Sequence, residues 1–106
     1  MNKGDIVLVP FPFTDLTGVK NRPALVIVNT DTDVTVSFIT TQIKWEEAFD
    51  VRIEPSSQNG LKKVSLIRLS KLCTLDKDLV IGKLGRLTDQ EIGIVNFHLS
   101  KLLRLH

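Results

Sequence analysis

The chain has 106 residues, 42% hydrophobic and 25% charged, with a formal net charge of +2. That length supports one domain (residues 1–106) with a single modest core, and so small a net charge, with no basic stripe in sight, gives no argument of its own for duplex nucleic acid. Cys73 is the only cysteine, which excludes an intrachain disulfide and a cysteine-based metal centre, and no signal-peptide core and no run of ~18 apolar residues marks export or a membrane span.

The elements follow in chain order. Asp5–Pro10 is apolar on alternate and intervening positions alike, Ile6 and Leu8 against Val7 and Val9, the pattern of a strand buried on both faces. Residues 11–22 carry Pro12, Asp15, Gly18 and Asn21, and read as a loop. Ala24–Asn29 is a second strand, Thr30-Asp31-Thr32-Asp33 a tight turn, and Val34–Thr41 a third strand, so a β-hairpin is expected over 24–41. Residues 42–48 form an irregular connection, Phe49–Ile53 alternates as a fourth strand, Pro55–Gly60 is a turn cluster, and Leu61–Leu72 holds one or two further strands.

The period changes near the end. Thr88-Asp89-Gln90-Glu91 has the form of a capping box, in which a Thr hydroxyl and a Glu carboxylate satisfy free amides at a helix start. Ile92, Val95, Leu99, Leu102 and Leu103 then share one helical face, with Gly93 weakening the helix by roughly 1 kcal/mol relative to Ala. The economical fold is mainly β: a small, twisted antiparallel barrel with one C-terminal helix packed on it.

Candidate functional residues are few. Arg22 is expected where the loop meets the second strand, and Pro23 biases it toward extended geometry, aiming a planar donor fork suited to phosphate; the plain alternative is a surface Arg at a strand end. Thr40, Thr41 and Gln42 end the third strand with hydroxyl and amide groups that can bond a phosphate, although Thr is in any case a favoured strand residue. Trp45 beside Lys44 suits stacking on an unpaired base or a protein interface. Asp76 is read as a carboxylate near the same barrel mouth or as an ordinary turn residue, and Cys73 as a small core residue. His98 and His106 are far in sequence from Arg22, and no His/Asp/Glu set has metal-ligand spacing, so no metal and no cofactor is expected.

Four segments taken together resemble the MazF/PemK family of type II toxins: Gly4-Asp5-Ile6-Val7, Arg22-Pro23-Ala24-Leu25-Val26, Ile39-Thr40-Thr41-Gln42 and Thr74-Leu75-Asp76. The resemblance spans nearly the whole chain and implies an SH3-like or CcdB-like barrel. It further implies a metal-independent endoribonuclease acting on single-stranded RNA in the cytoplasm, and a homodimer inhibited by a cognate antitoxin. It makes Arg22 and Thr40 the catalytic pair at the scissile phosphate, with Thr41, Gln42, Trp45 and Asp76 on the RNA, and it assigns no general base. Two positions depart from the pattern: Thr17 replaces an acidic residue, for which Asp15 is a substitute, and Cys73 replaces an Arg. A CcdB-like barrel also admits a non-catalytic, gyrase-binding toxin, or a degenerate member that binds RNA or antitoxin without turnover.

Overall fold

The computed structural model describes residues 1–12 and 19–105, the side chains of 11, 12 and 19 excepted. Asp15, Thr17 and His106 lie outside the described residues. Six strands, β1 (Asp5–Pro12), β2 (Val19–Asn29), β3 (Asp33–Thr40), β4 (Asp50–Ile53), β5 (Ser65–Asp76) and β6 (Gly82–Arg86), are followed by one helix, α1 (Asp89–Leu102). They form one antiparallel sheet in the order β4-β5-β3-β2-β1-β6, curled into a half-barrel.

The sheet is apolar on both faces, which is why its central strands read as nearly continuous hydrophobic runs. On one face Ile6, Leu25, Ile39, Ile67 and Leu69 pack with Leu87 and with Val95 and Leu99 of α1. On the other, Val7, Val9, Ala24, Val26, Val34 and Val36 form a second cluster, with Phe38, Leu75 and Val80 half-buried against it. The capping box is formed as the spacing predicts: the Glu91 amide donates to Thr88 Oγ1 at 3.1 Å, and the Thr88 amide donates to Glu91 Oε1 at 2.8 Å. Leu103 departs from the expected helical face; it is the C-cap residue and stands exposed.

Three expectations change. β2 begins at Val19 rather than Ala24, so Arg22 and Pro23 lie within a strand, opposite Val9 and Leu8 of β1, rather than at its junction with a loop. β5 is one long strand that continues through Cys73 to Asp76. β6, of sequence Gly-Lys-Leu-Gly-Arg, carries no strand pattern and is held by its pairing with β1.

The outer strands β4 and β6 do not pair with each other; the turn after β4 closes the gap instead. Asn59, fully buried, organises that turn by donating to the Glu54 carbonyl at 2.8 Å and accepting from the Ser56 and Leu61 amides at 3.0 and 2.9 Å. The Arg86 amide then donates to the Gln58 carbonyl at 2.9 Å. The approach requires glycine at two places, because a Cβ on Gly60 would collide with the Leu84 carbonyl and one on Gly85 with Gln58 and Asn59 backbone. Gly85→Ala is therefore expected to destabilise the protein by on the order of 1–3 kcal/mol, read as a lower denaturant midpoint with an unchanged slope.

At the same end of β6, where Arg86 pairs with it, buried Asp5 gathers the chain start. It accepts from the Asn2 amide at 2.9 Å and from Arg86 Nη1 at 2.9 Å, with Lys83 Nζ at 3.5 Å. Burial pushes its pKa up, but the Asn2, Arg86 and Lys83 contacts outweigh that and hold it below the usual Asp value. A depressed folded-state pKa contributes stability above the unfolded value near ~3.9, and that stability is lost as pH falls through the folded value. Melting temperature should thus drop below about pH 4, and Asp5→Asn should flatten that dependence while lowering stability at neutral pH by about 2 kcal/mol.

Candidate active site

The site lies where β3 parts from β2 and where its ladder with β5 is interrupted. Pairing between β2 and β3 runs from Asn29↔Val34 to Ala24↔Phe38, and the next residue of β2 is Pro23, which has no amide to extend the ladder. Carrying the same register two residues further sets Arg22 opposite Thr40. Both then lie on the sheet face of Ala24 and Phe38, since alternate residues share a face.

On the far side of β3 the pairing breaks as well. Ser37 faces Leu72 but Ile39 faces Ile67, so five residues of β5 answer two of β3 and three are extra. This bulge takes Arg68, Ser70 and Lys71 out of the β3 ladder, while Arg68 keeps its pairing with Asp50 of β4. Its base is pinned by Ser37, fully buried, whose hydroxyl donates to the Arg68 carbonyl at 2.6 Å.

Between these two breaks lies a cavity of about 570 Å³ lined by Arg22, Phe38, Ile39, Thr40, Gln42, Arg68, Ser70, Lys71 and Leu72. A second, of about 360 Å³, is lined by Arg22, Pro23, Ile39, Thr41, Gly60, Leu61, Lys62, Lys63, Ser65 and Leu84. Arg22 borders both. Among the described residues lining them are five cations and no carboxylate. Folding thus assembles a basic opening that the linear sequence, with Lys62, Lys63, Arg68 and Lys71 dispersed among apolar residues, does not announce.

Within the larger cavity the Gln42 amide donates to Thr40 Oγ1 at 3.1 Å. A hydroxyl that accepts there keeps its own hydrogen for another acceptor, and is oriented to offer it. The structure therefore brings Arg22, Thr40 and Gln42 to one cavity, and Thr41 to the second, which shares Arg22.

Trp45 and Asp76 are not among the residues that line either cavity. Trp45 ends a short 3-10 turn, Ile43–Trp45, just beyond Gln42; it is 65% exposed, with Lys44 Nζ 5.5 Å from its ring centroid. Asp76 is not near the barrel mouth. It faces Asp33 across the β3–β5 ladder, whereas Thr40 faces Leu66. Seven residues of strand, about 23 Å, separate the two ends. There Asp76 caps the next turn by accepting from the Asp78 amide at 2.9 Å.

Cys73 is half-buried opposite Val36 rather than a core residue. His98 lies on α1, its Nδ1 2.9 Å from the Ile94 carbonyl. No group of three or more His, Cys, Asp or Glu able to hold a metal ion occurs among the described residues, and no helix among them is long and apolar enough to cross a membrane.

Sequence reasoning missed Arg68, Lys71, Lys62 and Lys63. Their signal is not local: it depends on how β5 pairs with β3 and on the turn that precedes it.

Comparison with known proteins supports the architecture. An endoribonuclease in complex with its cognate antitoxin, from a mycobacterial species, superposes with a TM-score of 0.70 at 23% identity, covering 98% of this chain and 93% of that one. The Mycobacterium tuberculosis toxin MazF-mt6 gives 0.77 at 20% identity, covering 96% and 98%. MazF from Deinococcus radiodurans gives 0.74 at 21% identity, covering 98% and 96%. No curated protein matches the sequence significantly. The family model for PemK-like, MazF-like toxins of type II toxin–antitoxin systems matches residues 2–103, and this chain belongs to that family.

Proposed function

We propose that this toxin is a metal-independent, sequence-specific endoribonuclease that cuts single-stranded cytoplasmic RNA to leave 2′,3′-cyclic phosphate and 5′-hydroxyl ends. The observation that carries this reading is that Arg22 and Thr40 line one cavity, where the β2–β3 register, carried two residues further, sets them opposite each other on one sheet face. In the proposed reaction the 2′-oxygen bonds to the adjacent phosphorus, the bond from phosphorus to the 5′-oxygen breaks, the 2′-hydroxyl gives up its proton and the departing 5′-oxygen gains one. Arg22 acts as a fixed cation whose donor fork meets the negative charge that builds on the phosphoryl oxygens. Thr40, oriented by Gln42, donates to one of those oxygens.

Single-stranded RNA suits a cationic opening because its bases can splay outward and be read one by one. Thr41, on the second cavity, and Trp45, exposed beyond Gln42, extend the surface on which bases would rest. Asp76, opposite Asp33 at the far end of β3, has no part in the scissile centre of its own chain.

Family membership supports a cognate antitoxin as partner, as does the similar mycobacterial endoribonuclease described in complex with its own. A homodimer belongs to the same proposal: Leu79, Ile81 and Leu84 are exposed along the edge strand β6 and the segment before it, next to the Arg22 opening, and a second copy would cover them.

The deciding experiment incubates purified, antitoxin-free protein with mixed-sequence single-stranded RNA in EDTA and identifies the product ends. Recurrent cuts with cyclic phosphate ends are expected; no cleavage by folded protein would turn the reading to the non-catalytic, gyrase-binding class. Arg22→Ala should lower cleavage at least about a hundredfold with melting temperature little changed, and Arg22→Lys should fail comparably because a point charge does not reproduce the fork. Thr40→Val is expected to lose roughly a hundredfold while Thr40→Ser keeps most activity, the contrast in initial rates isolating the hydroxyl.

A further inference from the structure

Arg68 and Lys71 are charged residues of the larger cavity to which the proposed chemistry gives no role, and of the two Arg68 carries the donor fork suited to phosphate. It stands in the β5 bulge, and its carbonyl is held by the Ser37 hydroxyl at 2.6 Å. Its Nη2 lies 2.7 Å from Glu47 Oε1 and 3.4 Å from Asp50 Oδ2. The Asp50 side chain is wholly enclosed, and the Glu47 amide donates to its Oδ2 at 2.8 Å.

As a purely structural ion pair this is poorly completed. Asp50 Oδ1 and Arg68 Nε are buried and have no hydrogen-bond partner, and folded proteins keep few such atoms. A buried pair with unmet hydrogen-bonding capacity contributes little net stability, since desolvation offsets the attraction. Glu47 is a different kind of partner: its side chain is 56% exposed. Its bond to Arg68 is consequently weakened by water and salt, and can be exchanged for a stronger acceptor. A phosphate is such an acceptor, since a guanidinium fork meets two of its oxygens at once.

We propose that Arg68 is a second phosphate-binding residue of the RNA site, positioned by Asp50 and covered in the empty protein by Glu47. The inference rests on the endoribonuclease reading and deepens it. β2 and β5 flank β3, so Arg22 and Arg68 rise from strands two spacings, about 10 Å, apart. Long side chains from these two walls can hold adjoining phosphates of one strand while Thr40, between them, meets the scissile group. When RNA enters, Arg68 keeps buried Asp50 and trades Glu47 for a phosphate oxygen.

The test is the salt dependence of single-stranded RNA cleavage by the intact protein. Asp50→Asn with Arg68→Met removes both buried charges together, the change least harmful to the fold. KM for this double variant should rise at least about tenfold, with kcat altered less. The slope of log(kcat/KM) against log salt should shrink by about 0.7, the value of one lost phosphate contact on a single strand. Glu47→Gln leaves the buried pair intact and should lower KM by removing the competing carboxylate, which keeps the proposal testable should the double variant not fold. An unchanged KM with an unchanged salt slope in a folded double variant, or an unchanged or higher KM in Glu47→Gln, would overturn the role of Arg68 alone. Absence of cleavage by the wild-type protein would instead remove the endoribonuclease reading, and this inference with it.

Discussion

A strand in the middle of a sheet ordinarily spends its amides and carbonyls on two neighbours, and the last residues of β3 do not. On one side Pro23 brings no donor to the ladder; on the other, three surplus residues of β5 interrupt the pairing before it resumes at Ile39 and Thr40. Everything at the candidate site depends on this double interruption. It leaves room where packed backbone would otherwise be, and it sets Phe38, Ile39 and Thr40 as the floor of that room, with Arg22 and Arg68 on opposing walls. Local departures from sheet regularity next to functional groups are a general device, because they re-aim side chains without disturbing the core. Here the core on both faces of the sheet is complete up to the point where pairing stops.

The electrostatics follow from the same geometry. A net charge of +2 over 106 residues looks unremarkable, yet among the described residues five cations and no carboxylate line two adjoining cavities: Asp5 lies under β6, Asp33 and Asp76 at the far end of β3, and Glu47 and Asp50 behind the lining, against Arg68. Local potential rather than total charge governs what an opening attracts.

Much of the architecture was legible in the chain. Two-faced apolar runs identified the central strands, the 24–41 hairpin followed from alternation about a polar turn, and the capping box and apolar spacing marked α1. What was misread shares one cause. The length of β2 and β5, the existence of β6, and the place of Asp76 are set by pairing partners distant in sequence, which local patterns do not report. Arg22 and Thr40 could be singled out because each sits in a short, recognisable segment at a strand end or beside a proline. Arg68 was not, because nothing in Leu66-Ile67-Arg68-Leu69 distinguishes a bulge from an ordinary strand.

The seam closed by Gly60 and Gly85 also decides how the molecule would fail. One backbone hydrogen bond and two absent methyl groups hold the turn after β4 against β6. If that contact opens while the rest of the sheet survives, β4 and β6 become two bare edges at opposite ends of a curled, hydrophobic ribbon. Unpaired edges of that kind recruit other chains. The first consequence of strain at this seam would be association between copies, a solubility defect arriving before any loss of secondary structure.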